Sequence, residues 1–169
     1  MMYALVFNAS VIQIEETKFQ VHPDFLWVEI PSGETVTAGY TYENGAFSAP
    51  PAPPPPTLSQ QADSLLASGL TITSTSTSAL NGTYRVASGV PFGREDIANE
   101  AQFISTFSEF TNGSASIEWP LIDGTTFVTF PSTTEFLAFA KAAAQFYAAC
   151  SAVKLTNSGT LPSASVTIP

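Results

Sequence analysis

A chain of 169 residues is long enough for one good core or two small ones, and 44% hydrophobic and 12% aromatic residues can fill them, which excludes a disordered chain. Five Lys and Arg stand against fourteen Asp and Glu, for a net charge of -9, and the cations Lys18, Arg85, Arg94, Lys141 and Lys154 are scattered singly. Binding to phosphate backbones or anionic lipid needs clustered cations, so neither nucleic acid nor a membrane is an expected partner.

The start, Met1-Met2-Tyr3-Ala4-Leu5-Val6-Phe7-Asn8, has no positive n-region, and its apolar run is too short for a signal peptide or a membrane span. It reads as a strand. Residues 3–7 and 11–14 are apolar runs broken by Asn8-Ala9-Ser10, the pattern of a β-hairpin, and a third strand over residues 25–30 ends at Pro31-Ser32-Gly33. Asn44-Gly45 lies between Tyr40-Thr41-Tyr42-Glu43 and Ala46-Phe47-Ser48 and supplies the two positive φ angles of a type I′ turn. Residues 2–48 are therefore expected to form a four- or five-stranded antiparallel module with Trp27, Phe25, Tyr40, Tyr42 and Phe47 in its core. A module this small gains from docking onto something larger.

The clearest boundary is Ala49-Pro50-Pro51-Ala52-Pro53-Pro54-Pro55-Pro56, where successive prolines fix φ and remove backbone donors. A polyproline II spacer of this length would extend roughly 25 Å if straight. Beyond it, residues 57–69 predict a short helix with Thr57 as N-cap and Gly69 at its end. Residues 70–73 and 83–86 alternate at period two around Asn81-Gly82, which predicts a tight hairpin. Ile97, Ala101, Ile104 and Phe107 recur at helical spacing with Phe103 and Phe110 flanking them, Glu95 and Asp96 sit near the start, and Asn112-Gly113 is expected to close this helix.

A third hairpin is predicted from residues 116–119 and 126–130 around Asp123-Gly124. Ser132-Thr133-Thr134-Glu135 then has the spacing of a capping box, Ser132 accepting from the N3 amide and Glu135 reaching back to the N-cap amide. It opens the main packing helix, which carries Phe136, Leu137, Phe139, Ala140, Ala143, Phe146, Tyr147 and Cys150 and runs to about Val153. The Ser-rich end alternates Val166 and Ile168, as in an edge strand or one donated to a neighbour. The fold expected is α+β: a small N-terminal antiparallel β module (1–48), a Pro-rich linker (49–57) and a C-terminal α+β domain (58–169) of β-hairpins packed with two main helices.

The residue inventory offers little to catalysis. His22 is the only histidine and sits in a turn beside Pro23 and Asp24, and Cys150, the only cysteine, falls in a helical pattern where a small buried thiol is ordinary. One of each cannot supply a zinc site, and no D-x-D-x-D-G spacing marks a calcium loop. Ala87-Ser88-Gly89-Val90-Pro91-Phe92-Gly93 has two glycines but no following Lys-Ser or Lys-Thr, so it reads as a loop and not a phosphate cradle. Asn-x-Ser/Thr matches at Asn8, Asn81 and Asn112 follow from turn chemistry. The sequence points to no catalytic, cofactor-binding or metal-binding residues, no cofactor, and no enzymatic activity.

Four stretches carry a family resemblance: residues 69–77, then Ala79-Leu80-Asn81-Gly82-Thr83-Tyr84, then Trp119-Pro120 before Asp123-Gly124, then Phe130-Pro131-Ser132-Thr133-Thr134-Glu135-Phe136-Leu137-Ala138-Phe139-Ala140. In this order and spacing they resemble a C-terminal domain of phage and prophage tail proteins, and the strand Tyr3-Ala4-Leu5-Val6, the hairpin at Asn44-Gly45 and the proline run resemble the N-terminal module of such proteins. The resemblance implies a structural component of a tailed-bacteriophage virion, made in the host cytoplasm and placed in the tail tip, baseplate or tail-fibre region. The implied partners are other tail or fibre proteins and further copies of the chain around the tail axis. Two other readings stay open: a tail-fibre assembly chaperone absent from the finished particle, and a host-glycan-binding module using Trp27, Trp119 and the tyrosines.

Overall fold

Two-residue turns shape the first part of the chain. In the computed structural model, which describes residues 1–169, β1 (Met2–Phe7) and β2 (Ser10–Glu15) are joined by Asn8 and Ala9, whose φ angles of 48° and 61° are the paired positive values of a type I′ turn. β4 (Thr41–Glu43) and β5 (Ala46–Ser48) are joined in the same way by Asn44 and Gly45, at 53° and 84°. With β3 (Leu26–Ile30) these strands form one antiparallel sheet in the order β3-β1-β2-β4-β5, within a compact unit spanning Met1–Pro54.

The core of this unit differs from the expectation. Ala4, Val6, Val11, Ile30 and Val36 are its buried centre, with Tyr40, Tyr42 and Phe47 packed against them. Trp27 and Phe25 lie elsewhere, for a reason of register. Leu5 pairs with Trp27 across β1 and β3, and alternation puts both on the sheet face opposite Ala4 and Val6. Phe25 reaches that same second face by stacking on Phe7.

The second unit, Pro55–Pro169, is the α+β part of the fold. Its elements are α1 (Leu58–Ser68), β6 (Leu70–Ser74), β7 (Gly82–Tyr84), α2 (Arg94–Phe107), β8 (Ile117–Pro120), β9 (Phe127–Phe130), α3 (Thr133–Thr156) and β10 (Ser165–Ile168). α1 starts in a full capping box: the Thr57 hydroxyl accepts from the Gln60 amide, and the Gln60 side chain accepts from the Thr57 amide. At α3 only half of the predicted box forms. The Ser132 hydroxyl accepts from the Glu135 amide, but the Glu135 carboxylate takes hydroxyl protons from Ser132, Ser76 and Thr77 and leaves the Ser132 amide alone. Glu135 thus ties the start of α3 to the segment that follows β6.

Three sequence expectations about turns are corrected. β6 and β7 do pair antiparallel, with Leu70 opposite Tyr84, but Asn81-Gly82 is not their turn. The connection is a longer excursion through a 3₁₀ turn at Ser78–Leu80; Asn81 Oδ1 accepts from the Ser74 amide, and Gly82 begins β7. Gly82 is needed for proximity, since a Cβ there would meet Leu121 Cδ2 at 2.7 Å. Likewise α2 does not run to Asn112-Gly113. Ser108 takes the left-handed conformation at φ 62° and its amide bonds to the Ile104 carbonyl, so that Phe110 can turn back into the core at 1% exposure. The connection of β8 and β9 is also longer than a tight hairpin, with Trp119 opposite Val128 and the intervening loop organised by Asp123.

The core of this unit centres on α3, with Phe136, Phe139, Ala140, Ala142, Ala143, Phe146, Cys150 and Val153 buried. Phe136 and Phe139 meet Phe130, Tyr84 and Trp119 at ring-centroid distances of 4.7–5.6 Å in tilted and edge-on pairs. The Tyr84 hydroxyl donates to the Leu80 carbonyl at 2.6 Å, and burial pushes its pKa up. α3 is also long and apolar enough to cross a membrane by length and composition. β10 closes a three-stranded sheet in the order β10-β6-β7, pairing parallel to β6 with Ile168 buried.

Candidate functional site

Three places in the molecule bring together side chains that a partner or ligand could use. The first is the second face of the N-terminal sheet. Phe7 stacks on Phe25 with centroids 4.8 Å apart, and Phe19 meets Trp27 edge-on at 5.1 Å, while the Trp27 indole donates to the Phe19 carbonyl at 3.0 Å. This hydrogen bond folds the segment after β2 over Leu5, which is buried, yet Phe7 and Phe19 remain 36% and 50% exposed. Lys18 lies over the Tyr3 ring at 4.5 Å on the same segment. The face is aromatic, only half covered, and bordered by the free edge of β3.

The second place is a groove of about 450 Å³ between α2 and α3. Ile97, Ala140 and Ala143 are its buried floor, and small exposed side chains, Ala98 on α2 and Ala144 and Ala148 on α3, keep it open. Two charged residues stand on its rim. The Arg94 guanidinium is 4.4 Å from the centre of the Tyr147 ring, and Lys141 makes no ion pair.

The third is a shallower cleft where Glu100 on α2, 5% exposed, accepts from the Thr111 amide at 2.9 Å and the Thr111 hydroxyl at 2.6 Å. Burying a carboxylate is costly unless it is bonded. Here the two bonds from Thr111 fix the chain after α2, so the role of Glu100 is to hold that turn. Phe92 roofs this cleft edge-on to Trp119, at a φ of 57° that is unusual for a bulky residue.

Of the residues weighed in the sequence, Trp27 lies on the first of these surfaces and Trp119 lines the third cleft, whereas His22 and Cys150 lie apart from all three. His22 is exposed with its Nδ1 3.3 Å from Asp24, and Cys150 is fully buried in the core of the second unit, where burial pushes its thiol up. Trp119 is 4% exposed and offers no open ring face; its indole N–H is buried without a hydrogen-bond partner. The loop over residues 87–93 has its donors turned to acids. Glu95 accepts from the Ser88 hydroxyl and the Gly89 amide, Asp96 from the Phe92 amide, and these bonds hold the Glu95 carboxyl below its ordinary range. A carboxylate already occupies the seat a phosphate would need.

Arg94 and Lys141 were not singled out from the sequence. Nothing in the sequence brings the two together, because Ala98, Ala144 and Ala148 read as ordinary helix formers. Together the elements define an α+β protein with one half-covered aromatic sheet face and one cation-rimmed helix groove. Compared with known proteins, the chain matches no protein-family model, no curated protein and no solved structure.

Proposed function

We propose that the chain is a non-enzymatic structural component of a tailed-phage virion, in the tail tip, baseplate or fibre region, and that it acts by docking its N-terminal β module onto another tail protein. The observation that carries the docking is the second sheet face: Phe7 and Phe19 stay exposed beside Trp27 and Phe25 on a unit of only 54 residues. Aromatic side chains of this kind are the usual anchors of protein interfaces, because they bury much area at little entropic cost. The placement in a phage tail rests on the order and spacing of the motifs at residues 69–84, 119–124 and 130–140.

The test is peptide mass spectrometry on purified particles of the phage that encodes the chain, with copy number measured against the major tail protein. Recovery from the particle at a small multiple of three supports the structural role. Presence in the infected lysate and absence from the particle overturns it in favour of an assembly chaperone.

A further inference from the structure

We propose that the groove between α2 and α3 binds an amphipathic anion, a monocarboxylate with an extended apolar chain. The chain would lie on the floor formed by Ile97, Ala140 and Ala143, and the carboxylate would meet Lys141, the unpaired cation at the rim. This goes beyond the docking reading and does not depend on it.

The argument starts from charge. Acids outnumber Lys and Arg fourteen to five, yet no carboxylate lines the groove and both of its charged residues are cations. The other three cations are engaged. Lys154 is paired to Asp63 at 2.5 Å, Arg85 donates to the Ile122 carbonyl at 3.1 and 3.3 Å, and Lys18 sits on Tyr3. Arg94 touches Glu95 only at an exposed 3.5 Å and keeps its guanidinium over Tyr147, while Lys141 has no anionic partner at all. Lys141 and Tyr147 are six residues apart on α3, about 9 Å along its axis, so the two cations flank one stretch of apolar floor.

Shape agrees with charge. A volume near 450 Å³ lies within the usual range of small-ligand clefts, and the lining follows their ordinary make-up, mostly apolar with a few polar groups set to orient the ligand. The apolar chain supplies most of the affinity by leaving water, and the rim cations decide which sign of head group is accepted. Because the rim is exposed, that preference weakens as salt is raised.

The experiment is isothermal titration of the full chain with sodium dodecanoate below its micelle concentration, beside dodecyltrimethylammonium at the same chain length. Dodecanoate is expected to bind with one site per chain and at least about tenfold more tightly than the ammonium. Lys141→Glu should weaken it by about tenfold or more. Ala144→Trp, which fills the groove from an exposed position, should abolish binding while the thermal midpoint stays unchanged, and Ala98→Trp on the opposite wall repeats the test if the first variant does not fold. Equal binding of both head groups, an unaffected Lys141→Glu variant, or binding that survives both tryptophans overturns the proposal. So does silence toward dodecanoate when a peptide with an acidic, apolar end binds, which would make the groove a protein-docking site.

Discussion

Asp123 is the side chain on which the connection between β8 and β9 hangs. Its carboxylate accepts from the Thr125 amide at 2.9 Å, the Thr126 amide at 2.8 Å and the Thr126 hydroxyl at 2.7 Å, and these bonds lower its pKa from 3.8 to about 2. A folded pKa below the unfolded one means the stabilisation is fully present above the unfolded value and is lost as pH falls toward the folded value. Thermal melts of the wild type and Asp123→Ala should therefore differ most above about pH 4 and converge as pH drops toward about 2. A constant gap across that window would show that the loop does not depend on the charge. The Asp-Gly pair marked this turn in the sequence, and Asn44-Gly45 marked its own. Asn81-Gly82 carries the same letters and does something else, because the long-range neighbours Ser74 and Leu121 claim the two residues before a local turn can form. Dipeptide chemistry states what a residue tolerates, and packing decides which tolerance is used.

The elements themselves were largely legible: α2 and α3 as apolar spacings of three and four, α1 from its Thr57 cap and Gly69, and the N-terminal strands and the pair of β8 and β9 as short runs bounded by turn residues. Faces were less so. On α2 the apolar spacing placed Phe107 in the buried stripe, yet it is 59% exposed and packs on Phe103 at the surface, while Glu100 occupies the interior. A glutamate reads as solvent-facing by default, and only its bonds to Thr111, eleven residues on, make burial tolerable. Glu100→Ala should cost about 1–3 kcal/mol in urea unfolding, because the Thr111 donors lose their buried acceptor. A change under about 0.5 kcal/mol would mean that water replaces the carboxylate without penalty. The groove was illegible for a related reason: Ala98, Ala144 and Ala148 are good helix formers on any surface, and only the opposition of α2 and α3 turns their smallness into a cleft.

Across the whole molecule, the two units have separate cores, one built on Ala4, Val6 and Val11 and the other on the aromatic side chains around α3. Calorimetry of the full chain is expected to resolve two transitions with enthalpies in a ratio of roughly one to two, following their residue numbers, the N-terminal unit melting first. One cooperative peak would overturn that independence. Within the second unit, β10 carries a consequence of its own. It joins β6 at a separation of some 95 residues, with the Ser74 hydroxyl bonded to the Pro169 carbonyl. Helices α1, α2 and α3 grow from contacts near in sequence, on a microsecond timescale in isolation, but that parallel pair waits on the closing of nearly the entire unit as a loop. The pairing of this last strand is thus expected among the late steps of folding, and until it is made β6 presents an unpaired edge to whatever other chains are nearby.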